Sequence, residues 1–147
     1  MIEYEECLRQ GLLRKSAPSP NQARDQLAKA EVLLEEAKRA VKSESPNSAV
    51  AIGYAAMFDA ARALLFRDGF REKSHACVVR YLEANYRKEI DQVHIDLLDE
   101  YRDRRHKVMY STDYYPTMEE ARRIVEFADD FIDVMGKLLR KKGQGRR

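Results

Sequence analysis

One short stretch, Tyr101-Arg102-Asp103-Arg104-Arg105-His106-Lys107-Val108-Met109-Tyr110, carries the residue types closest to chemistry. Arg102, His106 and Tyr110 are spaced four apart, so on a helix they share one face. That stripe joins a fixed cation, a group that titrates near neutral pH and a phenol. Such a set can hold a phosphate and move a proton. Metal-independent RNA cleavage needs a group to remove the 2′-hydroxyl proton and a cation for the phosphorane, and His106 and Arg102 suit those roles. Without chemistry, the same face reads as an ordinary solvated helix surface. Arg105 falls on the apolar side of the helix with Leu98, Tyr101 and Val108. A charge there is costly unless it is paired or lies beside a wet cleft. Asp59 of an earlier helix is a candidate partner. The expectation is a polar groove lined by Arg102, Arg105, His106 and Tyr110, at or near a dimer interface.

Other chemistries find less support. Glu72-Lys73-Ser74-His75 has the Glu-x-x-His spacing of di-iron bundles, and Asp91-Gln92-Val93-His94 is a weaker second instance. Both fall at predicted helix starts, not among mid-helix apolar residues, so His75 and His94 are expected to bind no metal. There is no glycine-rich phosphate loop. Ser74 beside His75 lacks an orienting carboxylate, which argues against a nucleophilic serine. No cofactor is expected.

The elements that must position the stripe are helices. The chain has 147 residues, enough for one domain with a real core. Charged residues make up 35%, against six glycines and four prolines, which favours long solvent-facing helices. Lys and Arg number 27 and Asp and Glu 25, so the net charge of +2 says little about partners. The charge is uneven, with a basic cluster at Arg102, Arg104, Arg105 and Lys107 and a basic end from Arg140 to Arg147. Cys7 and Cys77 lie far apart, without metal-ligand spacing. The start is acidic and lacks a signal-type apolar segment. No apolar run approaches the roughly 20 residues that span a bilayer. The chain therefore reads as cytoplasmic, away from membranes, with reduced thiols.

Residues 2–14 predict a short first helix. Ser19-Pro20 opens a second, with Ala23, Leu27, Ala30, Leu34, Ala37 and Val41 at helical spacing up to about Lys42. Ser45-Pro46 opens a third, with Val50, Tyr54, Met57, Phe58, Ala61, Leu64 and Leu65 on one face and Gly69 as its stop. This most apolar segment belongs at the centre of the core. A fourth helix runs from about Ser74 to Tyr86, and a fifth starts near Asp91, whose carboxylate suits a helix start. Thr117 with Glu120 forms a capping box. The last helix then places Ala121, Ile124, Val125, Ala128, Phe131, Ile132, Met135, Leu138 and Leu139 on one stripe. No strand-like alternation is visible. The fold class is all-α, an antiparallel up-and-down bundle of four main helices with one or two accessory helices. One domain covers residues 1–142, and 143–147 form a basic tail. Eight tyrosines and no tryptophan leave an aromatic surface for a dimer interface.

Three stretches carry a family resemblance. Ser48 to Leu65 is similar to the third-helix signature of HEPN proteins (higher eukaryotes and prokaryotes nucleotide-binding). Lys73-Ser74-His75 resembles the loop segment of the small prokaryotic branch. Arg102 to Tyr110 resembles that branch's Arg-rich helix ending in tyrosine. The resemblance spans roughly residues 20–140 and implies an antiparallel helical bundle, usually a homodimer. It also implies pairing with a minimal nucleotidyltransferase, as a toxin–antitoxin or substrate-binding subunit.

Catalytic members of the family are metal-independent ribonucleases. Their motif is Arg, often followed by Asn or Asp, then His after four to six intervening residues, often with Tyr two beyond. Here Arg102-Asp103 matches the opening, but His106 follows after only three residues, and the position two before Tyr110 holds Val108. One residue is a rotation of about 100° around a helix, so His106 is out of register, although it keeps to Arg102's side. The resemblance implies a nucleotide- or RNA-binding module without efficient catalysis. The alternative is a ribonuclease that uses Arg102 and His106.

Overall fold

A computed structural model describes residues 2–141. Six helices and two short strands follow one another among these residues: α1 (Tyr4–Arg9), β1 (Leu13–Lys15), α2 (Pro20–Lys42), α3 (Pro46–Asp68), β2 (Phe70–Glu72), α4 (His75–Asn85), α5 (Gln92–Tyr110) and α6 (Met118–Arg140). The fold is the expected all-α bundle, with α2, α3, α5 and α6 as long helices and α1 and α4 as short ones. The basic tail at 143–147 lies outside the described residues.

Local signals set the helix starts. Ser19 Oγ accepts from Gln22 N–H at 3.1 Å, directly ahead of Pro20. Ser74 caps α4 by accepting from Cys77 N–H at 3.3 Å. Thr117 and Glu120 complete a reciprocal capping box, each bond 3.0 Å long. Such caps satisfy amide groups that a helix start leaves open, worth about 1 kcal/mol each. Asp91 is the N-cap residue of α5, but its side chain makes no capping bond.

The centre of the bundle is α3. It packs against α2, α5 and α6, and its buried side chains, from Val50 through Tyr54, Met57 and Phe58 to Leu65, face several neighbours at once. Gly53 is buried on α3 where it faces α6, and a Cβ there would stand 3.6 Å from Ile124, an ordinary contact. By length and composition α3 is apolar enough to cross a bilayer, contrary to the sequence expectation. Its burial inside the bundle accounts for that composition. The α6 stripe from Ala121 to Leu138 is buried as its spacing requires.

The N-terminal segment departs from expectation. The helix read over 2–14 ends at Arg9, and Gly11 turns the chain with φ 72°. Residues Leu13–Lys15 then extend and pair antiparallel with Phe70–Glu72, Leu13 opposite Glu72 and Lys15 opposite Phe70. Leu13 is buried while its two followers are exposed, so a single side chain anchors the strand. Three residues are too few to show the period-2 pattern that identifies strands in sequence. The thiols expected to be reduced are bonded: Cys7 of α1 and Cys77 of α4 form a disulfide with Cα atoms 5.8 Å apart. Both cysteines are fully buried. Of the eight tyrosines, Tyr54, Tyr81 and Tyr86 belong to the core and not to a surface, whereas Tyr110 and Tyr115 stand 65% and 75% exposed.

Candidate functional site

The predicted site residues all lie on α5, whose C-terminal half carries Arg102, Arg105, His106 and Tyr110. Arg102 turns back along its own helix. Its Nε and Nη2 meet Asp99 Oδ1 at 3.0 and 2.9 Å. Arg104 bridges Glu100 at 3.0 Å and Glu120 at 2.7 Å, and Lys107 lies 3.4 Å from Asp103. Among the described residues Arg105 is the one basic side chain of this cluster without a carboxylate partner. The partner suggested for it, Asp59, is committed elsewhere. Asp59 lies 3.7 Å from Arg62 on its own helix, and burial pushes its carboxyl above the ordinary range. The reason is geometric: Asp59 and Arg62 are one turn apart and compete with any partner from α5.

His106 and Tyr110 form a pair of their own. Their rings lie 4.8 Å apart at an interplanar angle of 46°, and both residues are exposed.

A second set of residues, which the spacing argument missed, stands within electrostatic reach of Arg102 and Arg105. His75 is the first residue of α4. Its ring stacks on Phe58 with centroids 3.9 Å apart and planes 16° from parallel, and its Nδ1 lies 3.1 Å from the Tyr54 hydroxyl. Tyr54 and Phe58 are one turn apart on α3, and both are buried, whereas His75 keeps an exposed edge. Loss of solvation lowers the His75 pKa, and Arg105, Arg102 and Arg62 lower it further, while Glu72 opposes them. The two larger causes both favour the uncharged imidazole over the imidazolium. Burial pushes the Tyr54 phenol far up, against the pull of Arg102 and Arg105, so it stays protonated. Glu72 in turn binds Arg62 Nε at 2.9 Å.

Arg102 and Arg105 therefore act on the same two groups, Tyr54 and His75, while His106 turns outward against Tyr110. The structure thus joins the expected arginines to a histidine that the sequence reading assigned to a helix start. Its signal was present only in part. The Ser74 cap fixes where His75 begins its helix, and two aromatic residues one turn apart on α3 provide a platform for it. The third histidine, His94, packs against Phe127, ring centroids 5.5 Å apart. No cluster of three His, Cys, Asp or Glu side chains among the described residues is placed to hold a metal ion. Chemically, the arrangement offers arginine charge, an oriented imidazole and an exposed His–Tyr pair, a set suited to phosphate groups.

An all-helical bundle that carries an arginine-rich helix of this kind defines a class. The sequence model of the HEPN domain matches residues 23–139. The chain is also 32% identical over 114 residues to the Methanocaldococcus jannaschii protein named "Putative toxin MJ0605", covering 76% of this chain and 84% of that protein. The chain belongs to the HEPN domain family.

Proposed function

We propose that this HEPN-domain protein, a single unit over residues 1–142, is a toxin-type nucleotide- or RNA-binding module. It works as a homodimer in the cytoplasm beside a minimal nucleotidyltransferase and lacks efficient catalysis. The observation that carries the binding reading is Arg105, a half-buried guanidinium with no carboxylate among the described residues, on the helix that also exposes His106 and Tyr110. A cation so placed favours an anion brought by a ligand. Exposed Met109 and Tyr110 at the end of α5, and Tyr115 in the loop after it, supply apolar area for a second copy. The name of the Methanocaldococcus relative supports the toxin-type setting. The buried disulfide pulls against a reducing compartment, where such bonds are rare.

A second reading, ribonuclease activity through Arg102 and His106, is supported by the exposure of His106 against Tyr110. Its weakness is the pairing of Arg102 with Asp99, which occupies the cation that a phosphorane would need.

The test is binding and cleavage of single-stranded RNA by the purified protein, alone and with a minimal nucleotidyltransferase if the neighbouring reading frame encodes one. Binding that weakens in Arg105→Ala and with added salt supports the module. Metal-independent cleavage by the wild type, lost in His106→Ala, replaces it with the ribonuclease. Absence of any RNA or nucleotide binding ends both readings. Light scattering at micromolar concentration that shows only monomer refutes the dimer.

A further inference from the structure

Away from α5, the first turns of α2 and the last turn of α6 border a cavity of about 380 Å³. Pro20, Ala23 and Leu27 line it from α2 and Leu139 from α6. Ala23 is buried with Ala63 and Phe66 in a small apolar cluster, on which Leu27 and Leu139 pack. The wall is low at Gly136: a Cβ there would stand 3.7 Å from Leu27 Cδ2 and 3.4 Å from Arg140 Nη1. A methyl group and a guanidinium thus meet at one point of the cavity. Three arginines border it. Arg67 is committed, its Nη1 donating to the Leu138 carbonyl at 2.7 Å, its Nη2 to the Tyr86 hydroxyl at 2.8 Å, and its Nε lying 3.3 Å from Asp68. Arg24 and Arg140 are exposed, and among the described residues neither is paired with a carboxylate. Arg24 Nη2 donates instead to the neutral side chain of Asn21. Arg140 also borders the neighbouring cavity, where Asp133 is held by Lys137 at 3.1 Å and Glu31 remains as a competitor.

We propose that this end of the bundle binds a small alkyl acid, with its chain on Leu27 and Leu139 and its carboxylate toward Arg24 and Arg140. The proposal is independent of the nucleic-acid-binding reading, which concerns α5. The volume lies at the lower end of the range for small-molecule pockets. The lining combines an apolar floor with two cations that hold no internal anion. It therefore suits a ligand that brings both an apolar body and a negative charge. An alkyl body fits better than a nucleobase. No aromatic side chain among the described residues lines the cavity. Phe66, packed with Ala23, has Arg62 and Arg71 over its ring at 5.0 and 4.3 Å from the centroid. A partner helix needs a longer groove. Here Lys38 of α2 reaches Asp129 of α6 at 3.3 Å and crosses the seam between the two helices. The last six residues of the chain, Lys142 to Arg147, are cationic, polar or glycine and match neither the apolar floor nor the two arginines.

The experiment follows the methyl groups of Leu27 and Leu139 by nuclear magnetic resonance of the full-length protein. Octanoate, 1-octanol, acetate and uridine monophosphate are added in separate titrations at neutral pH. Octanoate moves both methyl groups saturably. Octanol moves the same groups but binds about threefold to tenfold more weakly, the worth of an exposed arginine contact to a carboxylate. Acetate, which lacks the alkyl body, moves neither. Arg24→Gln and Arg140→Gln each lower octanoate affinity by about the same factor and leave octanol binding unchanged. Both positions are exposed, so the fold is not at stake in these variants. Arg123→Gln, an exposed change elsewhere on α6, leaves all the affinities as they were. No saturable shift with octanoate, equal affinity for octanol, or loss of binding in Arg123→Gln equal to that in the other two variants overturns the proposal. So does tighter binding of uridine monophosphate at the same methyl groups, which makes the pocket a nucleotide site. Shifts of these groups on dilution of the protein alone also overturn it, because a second copy then covers the pocket.

Discussion

The Tyr81 hydroxyl donates to Asp68 Oδ2 over 2.7 Å and so ties α4 to the last turn of α3. Tyr86 donates to the same oxygen at 2.5 Å, and Arg67 Nε lies 3.3 Å from the other. The Asp68 side chain is 2% exposed. Removing one member of a buried charged set strands the others. Asp68→Ala is expected to lose about 3–5 kcal/mol in urea unfolding, and a loss below about 1 kcal/mol would show the set to be dispensable. Burial, reinforced by Asp68, raises both phenols above their ordinary 10. Their contribution is complete below that value and is lost as pH rises past it. Absorbance titration of the folded protein therefore shows a late-ionising class of tyrosines, which is reduced in Asp68→Ala.

Glu120 gathers three contacts at the start of α6. Its carboxylate accepts from Thr117 N–H at 3.0 Å and from the Tyr114 hydroxyl at 2.9 Å, and it pairs with Arg104 of α5 at 2.7 Å. The Thr117 backbone bond is the largest of the influences that hold its pKa below the ordinary 4.5. A depressed carboxyl contributes stability that is complete above the unfolded value and is lost as pH falls through the folded one. Glu120→Gln is expected to be about 1–2 kcal/mol less stable at neutral pH. The gap should close in unfolding curves taken at successively lower pH below the ordinary 4.5. A gap that stays constant into acid assigns the effect to shape alone.

The disulfide links residues 70 positions apart. Closing a loop of that length restricts the unfolded chain, and the loop-entropy relation gives about 4 kcal/mol. Cys7→Ser with Cys77→Ser, or the wild type in excess dithiothreitol, should shift the urea midpoint downward accordingly. An unchanged midpoint would mean that the bond constrains nothing the fold depends on.

Two glycines should respond in opposite ways to alanine. At Gly53 the added methyl meets Ile124 at 3.6 Å, an ordinary contact. Gly53→Ala should therefore stabilise α3 by about 0.5–1 kcal/mol, through helix propensity. Gly69 has φ 90°, and a Cβ there would stand 2.8 Å from the Ser16 carbonyl oxygen. Gly69→Ala should cost about 1–3 kcal/mol. Thermal melts of the two variants on opposite sides of the wild type check the pair together.

What the sequence could disclose follows from range. Ser19-Pro20, Ser74 and the Thr117–Glu120 box act within one turn, so their residue types alone mark the starts of α2, α4 and α6. The α6 stripe repeats over about five turns and reads as clearly in sequence as in the structure. The β1–β2 ladder and the Cys7–Cys77 bond join segments more than fifty residues apart, and neither leaves a local pattern. On α5 the four-residue spacing placed Arg102, His106 and Tyr110 on one helix face, but spacing cannot say what another helix brings. The contact of His75 with Tyr54 spans 21 residues and depends on how α4 lies over α3.

The chain N-terminal to the matched domain meets that domain on both sides of His75. On one side β1 pairs with β2 as far as Glu72, and Lys73 N–H donates to the Leu12 carbonyl at 2.8 Å. On the other, Cys77 is bonded to Cys7. His75 sits midway between these two fastenings, like a stone in a setting with a prong on either side. The pose of its imidazole is thus inherited partly from residues 2–15, outside the segment that defines the family. Two relatives with identical matched domains but different N-terminal segments would hold this ring differently.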